Sequence, residues 1–369
     1  MITPSYNISA QQNVFPKTTF TFLTGSLDAR ITFTRSTTAT YYDSTGVLKT
    51  AAINEPRFDY DPNTLTIKGL LIESSKTNYI TYSEDLNNGA WSKQAGNSVA
   101  SNTTVAPDGN TTADTITWTS AAVNSGVYNS TSGLSASTSF ARSIWVKADV
   151  AGGTVGLADP ALTQFETIVT LTTTWQRVTL VQNSTAGGVA GVWIRKKSDS
   201  PNTIQVWGAQ LEQTAFATSY IPNLTTGSST RAADVALVTG TNFSNWYNSS
   251  KGTFRTDFIS VANGPRPIIS VDDDTANNSI IVSTQDAVPT FVVTQNGSEQ
   301  ANVTAGTITA NTNLYAYTTY DSNYFGIARA ASRQIDTSGT VPTVDRMRIG
   351  FSQAGAYLNN CIRSIQFWA

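Results

Sequence analysis

The sequence predicts an all-β protein of two tandem antiparallel jelly-roll-type β-sandwiches, preceded by a short extended N-terminal arm and a hairpin collar. Three observations predict it. The chain has 369 residues, above the roughly 250–300 at which one hydrophobic core stops growing, so two domains are expected. Its polar bulk is Thr, Ser and Asn, which suit strand faces and turns and lower helix propensity, and only 13% of it is charged. Apolar residues recur with period two in short runs bounded by turn signals, and no window carries a sustained helical stripe.

Residues 1–27 are polar and aperiodic and contain Pro4 and Pro16, which fits an extended arm able to strap onto a neighbouring subunit. Residues 28–83 form the collar: ITFTRSTTATYYD, a turn at Ser44-Thr45-Gly46, the Asp-Tyr-Asp-Pro turn at 59–62, and IKGLLIE. The first sandwich spans 84–223. Alternation places Phe140, Ile144 and Val146 on one face of their strand, Val178 and Leu180 on another, and Trp207, Ala209 and Leu211 on a third. Gly152-Gly153 and Gly187-Gly188 mark turns. The stretch 224–236, opening on the polar run NLTTGSSTR at 223–231, is expected to be a linker. A second sandwich over 237–369 follows, in which Asn296-Gly297 between two β-branched runs signals a tight hairpin, since both residues tolerate positive φ.

Composition closes several functions. The chain has no histidine, so no Ser-His-Asp or Cys-His arrangement, histidine general base or imidazole metal ligand exists. Its one cysteine, Cys361, excludes an intrachain disulfide or a cysteine-clustered zinc site and is expected to be a buried strand residue. A net charge of −2 supplies no basic stripe for nucleic acid. The start of the chain does not read as a secretory signal, and no segment approaches the ~18 apolar residues of a membrane span. Synthesis in the cytoplasm without membrane insertion is expected, and there is no heptad run for a coiled-coil shaft.

Three segments resemble a module of tailed-bacteriophage structural proteins of the tail-fibre or receptor-binding type. They are RITFTRSTTATYYDSTGVLKTAAINEPRFDYDP at 30–62, GLLIESSKTNYITYSEDLNNGAWSK at 69–93, and VWGAQLEQTAFATSYIPN with TRAADV within 206–235. The resemblance implies a carbohydrate-binding-module-like jelly roll. The C-terminal part, with DRMRIGFSQAGAYLNNCIRSIQFW at 345–368, is similar to laminin-G or concanavalin-like sandwiches. Arg35, Trp207, Glu212, Tyr220 and Arg231 match the module's pattern and are expected to define the fold. No catalytic residue is part of that pattern. The resemblance implies a virion component assembled in the host cytoplasm with other virion subunits, an oligomer and in particular a homotrimer. Its expected role is host attachment through a surface glycan, and the alternative is a decoration protein on capsid or baseplate.

Candidate chemistry is sparse. Sugar rings stack on aromatic faces while neighbouring polar groups bond their hydroxyls. That nominates Trp118, Tyr128 and Trp193 in the first sandwich and Trp246, Tyr247, Tyr315 and Tyr317 in the second, against ordinary core packing of each. Asp272, Asp273 and Asp274 with Asn277 and Asn278 put oxygen ligands in one loop, as calcium requires, although the spacing is not an EF-hand's. A glycosidase needs two acids at defined separation; Asp149, Asp159, Glu166 and Glu212 form no recognisable motif, and the chain is expected not to be an enzyme. The basic runs Arg195-Lys196-Lys197 and Arg346, Arg348 and Arg363 suit a solvated outer face, or an anionic glycan or acidic subunit.

Overall fold

The computed structural model describes residues 15–118, 123–260 and 264–369. About half of the chain is strand and 2% helix, and every sheet pairing is antiparallel. The fold is all-β, of jelly-roll sandwich type. The described chain divides into two units, a central one of residues 35–66 and 74–234 and a second built from residues 15–34, 67–73 and 235–369. Among the described residues no helix is long and apolar enough to cross a membrane.

The central unit is a sandwich of two five-stranded sheets. One runs Gln176–Asn183, Ser139–Lys147, Thr203–Glu212, Ala113–Thr117, Ser98–Thr104; the other runs Leu162–Thr170, Thr154–Asp159, Ala190–Lys196, Gly126–Thr131, Ser92–Lys93. Phe140, Ile144, Val146, Val178 and Leu211 meet Val127, Val155, Leu157, Val192 and Ile194 in a continuous core, with Leu180 packed at its margin. Val146 and Val155, one on each sheet, are at most 1% exposed. Arg142 and Asp159 form an ion pair of 2.6 Å with neither side chain accessible to solvent. Burial on this scale contributes about 25 cal/mol per Å² of apolar surface, which is why period-two faces close into sandwiches.

One face assignment is corrected. Trp207 does not share a face with Ala209 and Leu211. Gly208 takes φ +66°, and the pairing shifts register between Ser143 and Trp145, so that Trp145 lies opposite Trp207 and Ser143 opposite Gln210. The extra residue is a β-bulge, and it turns Trp207 to the outer face while Ala209 stays in the core. There Trp207, Trp145 and Tyr220 form a cluster with ring centroids 4.9–5.3 Å apart. The hairpin Ala39–Tyr42/Leu48–Ala51 contributes Tyr42 and Leu48 to the same cluster. Trp145 Nε1 donates to the Tyr42 hydroxyl at 3.1 Å and Trp207 Nε1 to Thr112 Oγ1 at 3.1 Å. Arg35 and Arg57 both grip Asp234, at 3.1 and 2.5 Å, with all three side chains inaccessible. Glu212 accepts from the Thr218 amide and hydroxyl, and Arg231, on the strand Ser229–Arg231 paired with Lys76–Asn78, donates to Ser219 Oγ at 2.7 Å. The stretch read as a linker is therefore tied down over that strand.

The second unit is also a sandwich. Its seven-stranded sheet runs Thr32–Thr34, Val235–Thr239, Arg346–Ile349, Pro265–Asp272, Ser279–Gln285, Val288–Gln295, Ser298–Thr304. Opposite it run Ser332–Asp336, Tyr324–Arg329, Asn313–Asp321, Gly252–Ile259 and Asn360–Trp368. The free side of Asn360–Trp368 pairs with Ile67–Ile72 at one end and with Thr18–Thr21 at the other. Thr18–Thr21, Thr32–Thr34 and Ile67–Ile72 are thus strands of this sandwich, and not parts of a separate arm and collar. The run Thr-Phe-Thr-Phe at 19–22 alternates in the strand period, and Phe20 and Phe22 are fully buried. The rest of the arm, with Pro4, lies outside the described residues. Asn296 and Gly297 take φ +50° and +75° at the hairpin between Val288–Gln295 and Ser298–Thr304, and Cys361 is buried in the last strand.

Candidate functional site

The nominated aromatics separate by what lies against them. Trp118 is 6% exposed and part of the central core. Trp246 follows a short helix, Thr241–Ser244. Its ring lies edge-on to Phe20, Phe243 and Phe367 at 5.2–5.8 Å, and its Nε1 donates to Asn242 O at 2.7 Å. Tyr247 stacks on Phe243 at 4.5 Å and on Phe367 at 5.8 Å, and burial raises its hydroxyl pKa. These three are packing residues, corrected from platforms: each buries its ring face against another apolar side chain, leaving none for a ligand.

Tyr128 and Trp193 are brought together. They are cross-strand partners with ring centroids 6.1 Å apart. The Arg195 guanidinium lies 4.6 Å over the Trp193 ring, and Trp193 is only 6% exposed. Glu166 reaches across this sheet to hold Arg195 at 3.3 Å and Lys197 at 2.6 Å, so two cations of the basic run share one carboxylate and its arginine caps the indole face.

The acidic loop is corrected as well. Asp272 accepts from Arg348 at 2.9 Å, and one oxygen of Asp274 faces Arg348 at 2.5 Å and Arg346 at 3.0 Å. Asp273 accepts from Thr275 and from Asn278 Nδ2 at 2.6 and 2.8 Å; Asn277 caps the adjoining hairpin, its carbonyl accepting from the Gly297 amide at 3.0 Å. Two guanidinium groups supply the positive charge that calcium would bring. Among the described residues no group of three or more Cys, Asp or Glu side chains is arranged to hold a metal.

What remains open is the outer face of the sheet around Gly252–Ile259. Phe254 and Phe258 of this strand point inward and are fully buried, so Arg255 and Asp257 point outward. Register sets Arg255 between Tyr317 and Gln366, and Asp257 between Tyr315 and Ser364. Tyr315 and Tyr317 are 44% and 40% exposed, with rings at 5.9 Å and 80°. The Arg255 guanidinium lies 5.2 and 5.9 Å from their centroids. It also pairs with Asp257 at 3.0 Å and donates to Gln366 Oε1 at 3.1 Å, while Ser364 Oγ donates to Asp257 at 3.0 Å. Trp368 continues the surface, 6.5 Å from Tyr317.

This face combines exposed ring surface with fixed donors and acceptors, the combination that recognises a sugar's apolar face and its hydroxyls. Arg255 is held by contacts to Asp257, Gln366 and both rings, so little side-chain freedom is lost on binding. Tyr315 and Tyr317 were nominated from the sequence; Arg255, Asp257, Gln366 and Trp368 were not. A signal was present, since Arg255/Asp257, Tyr315/Tyr317 and Gln366/Trp368 are each i, i+2 pairs, but the register that sets the three pairs side by side is not written locally. The carboxylates weighed as glycosidase acids are committed elsewhere: Asp159 to Arg142, Glu166 to Lys197, Glu212 to Thr218, and Asp149 to Gln205 at 3.0 Å.

No family model and no curated protein matches the chain. Solved structures similar to it are β-sandwich proteins. The tandem CBM22-1-CBM22-2 domain of Xyn10C from Paenibacillus barcinonensis is 8% identical, covering 80% of this chain and 98% of that one, with a TM-score of 0.30. Domains LG4-5 of the mouse laminin alpha1 chain are 10% identical over 67% and 86%, with a TM-score of 0.28. Botulinum neurotoxin type C, whose cell entry depends on two ganglioside molecules, is 13% identical with a TM-score of 0.26. There the match covers 37% of this chain and spans about a third, 35%, of the toxin's. Sites are grafted on folds, so likeness at this level transfers no ligand.

Proposed function

We propose that this protein is a glycan-binding virion component of the tail-fibre or receptor-binding type, without catalytic activity, whose C-terminal sandwich recognises a host surface glycan. The observation that carries the binding half is the exposed Tyr315–Tyr317 face with its Arg255–Asp257–Gln366 network. Virion membership is supported by the resemblance of the three segments at 30–62, 69–93 and 206–235. Assembly as a homotrimer with other virion subunits follows the same resemblance, and association would also cover open sheet edges such as Ser298–Thr304. Binding without hydrolysis is supported by the missing histidine and by the carboxylates already held in ion pairs and hydrogen bonds.

A glycan array with wild type and Tyr315→Ala/Tyr317→Ala, paired with a cell-adsorption competition assay, tests the reading. Binding by wild type that falls at least tenfold in the double variant is the expected result. No binding in either assay would overturn it. The second reading, a decoration protein of capsid or baseplate, draws on Trp118, Trp193 and Trp246 all serving packing. Cryo-EM of the intact particle separates the two, a few copies at the tail belonging to the first and many over the shell to the second.

A further inference from the structure

The outer face of the seven-stranded sheet carries a groove of about 750 Å³, within the roughly 300–1,000 Å³ typical of small-molecule sites. Cross-strand register builds its floor: Ile281 lies opposite Val292, Ser283 opposite Thr290, and Gln285 opposite Val288. Asn302 and Thr304 extend the floor on one side and Pro265 and Pro267 on the other. The wall is the turn at 352–356, closed by the Ser352 amide donating to Ala356 O at 3.0 Å and propped by Phe351 stacked on Tyr357 at 5.4 Å. The groove is on the opposite sheet from Tyr315 and Tyr317.

Its lining states a chemistry. The floor mixes an aliphatic patch of Ile281, Val288 and Val292 with hydroxyl and amide side chains, and among the described residues no aromatic ring lines it, so a pyranose face has nothing to stack on, but a methyl group has branched side chains to pack against. The two threonine hydroxyls have spent their one donor each, and the two amides one of their two. Thr290 Oγ1 donates to Val288 O at 3.0 Å, and Thr304 Oγ1 to Gln334 at 3.2 Å. Asn302 Nδ2 donates to Glu299 at 3.0 Å, and Gln285 Nε2 to Asp286 at 3.3 Å. Thr290 and Thr304 present lone pairs to the groove, Asn302 and Gln285 each keep an amide oxygen and one further N–H, and the Ser283 hydroxyl can serve either way. Among the described residues no cation lines the groove, and the Asp286 carboxylate stands at its rim. Such a lining can accept hydroxyl hydrogens, and its one charge repels anions.

We propose that this groove binds neutral 6-deoxyhexose residues, the methyl group packing on Ile281 and Val292 and the hydroxyls donating to Thr290, Asn302 and Gln285. The proposal goes beyond the glycan site above by adding a second, chemically different subsite on the same sandwich. It also excludes uronates and other acidic sugars from that subsite.

Saturation-transfer NMR with the methyl glycosides of L-fucose and L-rhamnose, their parent hexoses L-galactose and L-mannose, and D-glucuronate tests it on the full chain carrying Tyr315→Ala/Tyr317→Ala, which silences the other site. The 6-deoxy sugars are expected to bind with their methyl protons most strongly saturated. The parent hexoses should bind at least about fourfold more weakly, the factor that one buried methyl group supplies, and glucuronate not at all. Ser283→Trp, which fills the groove, should abolish the signal, and Thr304→Trp at the edge strand serves if Ser283→Trp lowers the melting temperature. Equal binding of fucose and galactose, no binding of either 6-deoxy sugar, or a signal kept in the groove variants would each overturn the proposal. Because the array in the previous section reads Tyr315 and Tyr317, either site can fail alone.

Discussion

Replacing Asp159 by alanine removes the counter-charge of Arg142 and nothing else of comparable size. Both side chains are inaccessible to solvent and their charged atoms are 2.6 Å apart. The Arg142 Nε donates to Gly191 O at 2.8 Å, but a carbonyl does not neutralise a guanidinium. Breaking a buried pair from one side costs about 3–5 kcal/mol. For a unit of 150–250 residues, at about 2–4 °C per kcal/mol, that is a fall in melting temperature of roughly 6–20 °C. Replacing both partners, as Arg142→Met/Asp159→Leu, removes the buried charges together. It forfeits two hydrogen bonds, Arg142 Nε to Gly191 O and the Ala161 amide to Asp159 Oδ1 at 2.9 Å, worth about 1 kcal/mol each. Against this it recovers a desolvation penalty of several kcal/mol, so the double variant should lie within ~2 kcal/mol of wild type. Differential scanning calorimetry of the wild type, both single variants and the double variant closes the cycle. A shift below about 2 °C for Asp159→Ala, or a double variant no more stable than that single one, would refute the desolvated pair.

Three further outcomes are expected. Burial raises the Glu84 carboxyl to about 7, only partly offset by the Tyr220 hydroxyl donating to it at 3.1 Å. The folded unit then binds this proton more tightly than the unfolded chain, whose Glu titrates near 4.5. Stability from this group is complete below that value and is lost as pH rises towards 7, so urea midpoints should fall across this window and Glu84→Gln should flatten the slope. Gly208→Ala places a Cβ 2.7 Å from the Trp145 ring at φ +66°, and chemical denaturation should show a loss of about 1–3 kcal/mol. Added calcium should leave the melting temperature of the C-terminal sandwich unchanged, since Arg346 and Arg348 already neutralise Asp272 and Asp274; a rise would restore the metal reading.

Features written within a few residues were legible before the structure: the Asn296-Gly297 hairpin, the buried strand position of Cys361, and the strand periods of Ile144/Val146 and Val178/Leu180. Features set by distant partners were not. Thr18–Thr21 reads as a polar arm because its partner strand is the last one in the sequence. Trp207 reads as a core residue because alternation was carried unbroken through Gly208, where a bulge inverts it. The acidic loop reads as an open cation site because Arg346 and Arg348 are far along the chain from it. The same limit hid half of the candidate site: aromatic residues announce themselves, whereas Arg255 and Gln366 acquire meaning only once three strands are in register.

The pairing of Thr18–Thr21 with Asn360–Trp368 has a consequence for biogenesis. During translation the strands at 18–21 and 67–72 emerge long before Asn360–Trp368, the strand that seats them, whereas the central jelly roll has all its own strands once residue 234 has been made. The insert is therefore free to fold while its host domain waits, holding Phe20, Phe22 and Leu70 without this partner strand until residues 360–368 leave the ribosome. A nonsense or frameshift lesion just before codon 360 would strip the sheet of the strand between Gly252–Ile259 and the strands at 18–21 and 67–72, and would cost this sandwich far more than that strand's length suggests.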